Sequence, residues 1–142
     1  MNELQIFNNE EFGEVKNIEK ANKGKYTGFF YILEYGNLVK IGSTKNPYQR
    51  IMSLKRGAET YGNLKLGKVA ISKPHTNYVS NEKRLHKLFS ELRKSGSELF
   101  DISFDEAISQ IGDIEYLNES KEIEAKSENF LNGMKSFILG GN

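Results

Sequence analysis

Residues 27–42 read TGFFYILEYGNLVKIG, and this stretch decides the fold. Residues 27–33 (TGFFYIL) are rich in aromatic and β-branched residues and predict a strand, and 38–42 (LVKIG) predict a second. Gly36-Asn37 suits a two-residue hairpin turn between them. Such a turn pairs Tyr35 with Leu38, and therefore Leu33 with Lys40 and Tyr31 with Gly42. Side chains alternate across a strand, so Phe30, Ile32, Val39 and Ile41 share one apolar face. Tyr31 and Lys40 fall on the other as diagonal neighbours.

Outward from the hairpin, a helix is expected over about 47–56. Asn46 suits its N-cap, Pro47 its first turn and Gly57 the position past its end. Tyr48, Ile51 and Leu54 form its apolar stripe. Residues 64–71 (LKLGKVAI) predict a third strand. Residues 77–95 give the clearest helix, with Tyr78, Leu85, Phe89 and Leu92 on one side and Lys83, Arg84, Lys87 and Glu91 on the other. Residues 98–102 (ELFDI) read as a short strand or extended segment. Ser103 with Glu106 forms a capping box for a helix to about Ile111.

The expected architecture is α+β: a small three-stranded antiparallel sheet flanked by helices, with an extra C-terminal helix. The boundaries expected are an acidic N-terminal extension over 1–25, a core domain over 26–112 and a helical tail over 113–142. In the tail, Ile123, Phe130, Leu131, Met134, Phe137 and Ile138 fall near helical spacing.

Net charge is +1, but it is segregated. Residues 20–94 hold 12 Lys and 4 Arg against four Glu, a net of +12, whereas residues 1–19 carry −4 and residues 95–142 carry −7. A basic body suits a polyanion, and nucleic acid is the expected partner. The competing reading is that two acidic flanks fold back to neutralise a basic middle. With no cysteine, disulfides and thiolate zinc sites are excluded. No apolar run approaches the length of a membrane span, and the first eleven residues lack the basic and apolar blocks of a secretory signal. The expected location is cytoplasmic.

Chemistry concentrates on a few side chains. Glu82 sits within the apolar stripe of its helix, where a carboxylate needs a cation or hydrogen bonds. It either binds a metal ion or pairs with Arg50 or a lysine as plain structure. One carboxylate suits Mg²⁺ (or Mn²⁺), which keeps most of its waters and takes further ligands from phosphates. Tyr31 is either core packing or, with Lys40 beside it to favour tyrosinate, a base or the group that orients a basic water; Lys40 either does this or contacts phosphate. Arg50 is either an ordinary surface residue or a bidentate phosphate ligand. His86, one turn after Glu82, is either a satisfied half-buried histidine or a group near a metal or the scissile phosphate. Lys45, Lys55, Arg56 and Lys83 are the side chains expected on DNA.

Taken together, these pieces resemble the GIY-YIG nuclease superfamily. Phe29-Phe30-Tyr31 stands at the first motif, Lys40-Ile41-Gly42 at the second, and Arg50 ten residues after the start of that second motif. Glu82 stands at the metal-binding glutamate. Glu82-x-x-Leu85-His86-x-x-Phe89 followed by Glu98-Leu99-Phe100 looks like the branch found in phage and bacterial proteins. The resemblance spans about residues 27–111. It implies hydrolysis of a DNA phosphodiester with one divalent cation: Tyr31 deprotonates or positions water, Arg50 stabilises the phosphoryl charge, and Glu82 holds the cation. If the chain is phage-encoded, the compartment is the host cytoplasm. Two departures stand out: Phe29-Phe30 replaces Gly-Ile, and Lys40 replaces the second tyrosine. The alternative is therefore a fold that grips nucleic acid, or inhibits a partner, without cutting. The C-terminal stripe is a further candidate contact for a second copy or a protein partner.

Overall fold

The computed structural model describes residues 4–95 and 97–112. The described residues form an antiparallel sheet of five strands, in the order β1-β4-β2-β3-β5, flanked by four helices. Its centre is the hairpin of β2 (Phe29–Tyr35) and β3 (Leu38–Thr44). The register is the one the turn dictates: Tyr35 pairs with Leu38, Leu33 with Lys40 and Tyr31 with Gly42. Gly36 takes φ +61, which a residue with a Cβ resists.

Alternation along these strands builds two cores. Phe30, Ile32, Val39 and Ile41 point to one side, where α3 (Tyr78–Leu88) contributes Leu85 and α4 (Phe104–Gly112) contributes Phe104, Ala107 and Ile111. Phe29, Tyr31, Leu33 and Tyr35 point to the other, against Ile51 of α2 (Pro47–Tyr61) and Val15 of α1 (Val15–Ala21). Burying each large apolar side chain contributes about 1.5–3 kcal/mol, which forces both faces to be covered.

Two strands lie beyond the three expected. β1 (Leu4–Phe7) pairs with β4 (Val69–Ser72), so part of the N-terminal extension belongs to the sheet. Its period is blurred: Gln5 and Ile6 are both exposed on an edge, where alternation is weakly enforced. β5 (Leu99–Phe100) adds two residues beside Val39 and Lys40 of β3.

Several boundaries also differ from the sequence expectation. The helix α2 runs through Gly57 to Tyr61, because Leu54 and Ala58 pack on the core and outweigh the roughly 1 kcal/mol preference against a helical glycine. The helix α3 stops at Leu88, and a 3₁₀ turn at Ser90–Leu92 reverses the chain. That reversal lets Asp101 donate its amide to the Leu92 carbonyl (2.7 Å) and Lys94 to that of Leu99 (2.8 Å). The strand expected from residue 64 begins at Val69, since the amides of Gly67 and Lys68 are drawn to Glu34 instead. The C-terminal helix expected after residue 113 lies outside the described residues. Among the described residues, no helix is long and apolar enough to cross a membrane.

Candidate active site

The site forms where β3 loses its outer neighbour. β5 covers only Val39 and Lys40, and beyond its end the Ile41 carbonyl is met by a side chain instead. Three elements converge on that open stretch: β2 from across the ladder, α2 from one face and α3 from the other.

Tyr31 arrives by way of a missing side chain. It stands opposite Gly42, and the space a Gly42 Cβ would occupy is filled by the Tyr31 phenol. The ring therefore lies over the glycine and carries its hydroxyl toward the strand edge, although Tyr31 is almost wholly buried. Burial raises the phenol pKa above its ordinary value of 10.0, and a side-chain hydrogen bond with Arg50 opposes that rise. The nearby carboxylates of Glu82 and Glu98 add to the rise. At neutral pH Tyr31 is thus a phenol with a guanidinium near it.

Arg50 reaches Tyr31 from the second turn of α2 and is itself exposed. Glu82 comes from α3, on the opposite side of the sheet. Ser43 Oγ donates to its Oε1 at 3.0 Å, and His86 Nε2 lies 3.4 Å from its Oε2. The Glu82 side chain keeps 20% of its surface exposed, so its carboxylate is pinned yet reachable. His86 is half-buried, and its Nε2 also lies 2.8 Å from the Ile41 carbonyl. A carbonyl only accepts, so Nε2 carries the proton and Nδ1 holds the lone pair when the ring is neutral. The ring meets Phe100 edge-on at 5.1 Å, which fixes its plane.

Lys40 differs from expectation. Its ammonium forms an ion pair with Glu98 at 2.5 Å. Its charge is paired with Glu98, and the cation that lowers the phenol pKa is Arg50. The reason is β5, which places Glu98 just before the residue paired with Lys40. Lys40 in turn holds the Glu98 carboxyl below the usual carboxylate range.

The expected DNA contacts flank the cluster. Lys45, Arg56 and Lys83 are exposed and Lys55 is half-buried. Lys45 donates to the Lys25 carbonyl at the entrance to α2, Lys55 and Arg56 lie further along that helix, and Lys83 follows Glu82 on α3.

Sequence reading passed over three contributors. Ser43 carries no motif of its own, although its place on the apolar face of β3 aims it at α3. Glu98 needed the pairing of β5 beside Lys40 to be foreseen. His75 seats the start of α3: Nδ1 donates to the Lys73 carbonyl at 2.7 Å and Nε2 accepts from Asn81 at 3.1 Å, one residue before Glu82.

Among the described residues, no group of three or more His, Cys, Asp or Glu side chains is placed to hold a metal ion. Glu82 offers a partly open carboxylate whose charge acts on the Tyr31 phenol. This donor set suits a hard cation that keeps its waters and completes its shell from a phosphate.

Residues 28–115 match the family described as the T5orf172 domain. No curated protein and no solved structure matches the chain.

Proposed function

The chain belongs to the T5orf172 domain family, and on that basis we propose that it is a metal-dependent DNA endonuclease of the GIY-YIG type. The family is associated with endonuclease-like activity, which supports the coarser part of this reading. The observation that carries the finer part is the meeting of Tyr31, Arg50 and Glu82 at the open edge of β3.

Each residue has a separable task. Arg50 presents a fixed cation to the scissile phosphate and stabilises charge that develops on its oxygens. The phenol oxygen of Tyr31 holds the attacking water in line, and its phenolate fraction takes the proton. Glu82 would hold Mg²⁺ or Mn²⁺, which when bound supplies Lewis-acid stabilisation of the leaving oxygen. Ser43 and His86 keep the Glu82 carboxylate oriented. Lys45, Lys55, Arg56 and Lys83 attract the duplex through its phosphates without reading its sequence.

The test is a variant series on duplex DNA with Mg²⁺. Tyr31→Phe, Arg50→Ala and Glu82→Ala should each abolish cutting while the melting profile stays cooperative. Cutting that survives all three sinks the assignment.

A second reading is a nucleic-acid-binding module that does not cut. It is favoured by Lys40, which replaces the second motif tyrosine and is committed to Glu98. Salt-dependent DNA binding without cleavage under several divalent ions would select it.

A further inference from the structure

An α-helix leaves its first amides without partners, and a side chain at the N-cap ordinarily takes one of them. In α2 the residue in that position, Asn46, makes no such bond with its side chain. Pro47 has no amide hydrogen, and the Arg50 amide bonds the Asn46 carbonyl at 3.0 Å. That leaves Tyr48 and Gln49. Both donate to a single oxygen, Glu19 Oε1, at 3.0 and 3.3 Å.

Glu19 lies on α1, 29 residues before Tyr48 in the chain. Its carboxylate therefore caps, from a different element, the helix that carries Arg50. The bonds are charge-assisted, and a negative charge at a helix N-terminus is favoured by the helix dipole. The rest of the segment tightens the same grip. The Phe12 ring stacks on Tyr48 at 5.3 Å, the Lys16 ammonium lies 5.4 Å from the Tyr48 ring centre, and Val15 is fully buried beside them.

We propose that Glu19 is a positioning residue of the active site: it clamps the first turn of α2 so that the Arg50 guanidinium stays on the Tyr31 phenol. Arg50 is the very next residue after the two captured amides. Its long side chain is exposed, so its placement depends on the backbone from which it springs. Released, that turn frays, and the guanidinium leaves the phenol. The acidic N-terminal segment thus acts on the site from within the fold.

The inference rests on Arg50 belonging to the proposed site, but its primary readout does not require cutting. The Arg50 Nε–Hε resonance is identified by its loss in Arg50→Lys, and Tyr31→Phe marks where it falls without the phenol. In Glu19→Ala the resonance should move toward the Tyr31→Phe position. Glu19→Gln keeps an oxygen acceptor and should restore most of the wild-type position. On duplex DNA with Mg²⁺, Glu19→Ala should lower kcat by about tenfold to a hundredfold with KM little changed, the loss typical of a displaced catalytic group. If Glu19→Ala does not fold, Glu19→Asp, which retracts the carboxylate by one methylene and keeps its charge, should show the same displacement. An unmoved Arg50 resonance in the folded variant overturns the proposal, as does a Glu19→Gln displacement equal to that of alanine. A wild-type protein that cuts no DNA overturns the nuclease reading instead, and the resonance still decides the role of Glu19.

Discussion

Tyr31 and Gly42 face one another across the central hairpin, and the phenol of the first occupies the place of a side chain on the second. The glycine is thus a requirement of the site. Gly42→Ala puts a methyl group where the ring stands, and the rigid ring must shift. The expected result is a cutting rate about a hundredfold lower, the loss that a displacement of about 1 Å can cause, with the fold retained. Single-turnover cleavage beside a thermal melt checks it; wild-type rates would show that the phenol's position does not matter.

The pH profile of cutting follows from the raised pKa of Tyr31. A base whose pKa lies above 10 is only fractionally ionised at neutral pH, and its active fraction grows tenfold per unit. Cutting should therefore climb with pH through 9 without a plateau, and Tyr31→Phe should remove the climb together with the activity. A plateau near neutrality would assign proton removal to another group.

The bond from Ser43 to Glu82 makes a prediction about metal affinity. Ser43→Ala frees Oε1 of Glu82 to rotate. Partners that orient a ligand are typically worth ten- to a hundredfold in metal affinity, so the Mg²⁺ concentration for half-maximal cutting should rise by about that factor. An unchanged Mg²⁺ dependence would mean that Ser43 is not orienting a metal ligand.

Glu98 neutralises Lys40 at the edge of the site. Its carboxyl pKa is depressed in the fold, so the pair stabilises at pH above the unfolded value and is lost as pH falls through the lower folded value. Glu98→Gln releases the ammonium at neutral pH. DNA should then bind more tightly, with a salt slope steeper by about one. Fluorescence anisotropy over a salt series, in the Glu82→Ala background to prevent cutting, measures it.

Much of this was legible in the sequence because short-range chemistry dictated it. Gly36-Asn37 set the hairpin register, the register set the faces, and the faces put Tyr31 opposite Gly42. Glu82 betrayed itself as a carboxylate within an apolar stripe. What escaped was decided by contacts between distant segments. Nothing local marks Glu19 as the cap of α2, since Asn46 is the better cap by residue type. The two-residue strand β5 is too short to reveal its partner, and its pairing with β3 gives Lys40 to Glu98. Gly57 resembles a helix end, but the burial of residues on either side carries the helix through it.

The carboxylate of Glu82 is expected to support metal-dependent cutting at the open edge of β3. Supercoiled plasmid incubated with and without Mg²⁺, beside the Glu82→Ala protein, tests it most directly. The expected result is conversion to nicked or linear DNA by the wild type with Mg²⁺ only, and none by the variant. Equal conversion by the folded variant, or conversion by the wild type in excess EDTA, would contradict it.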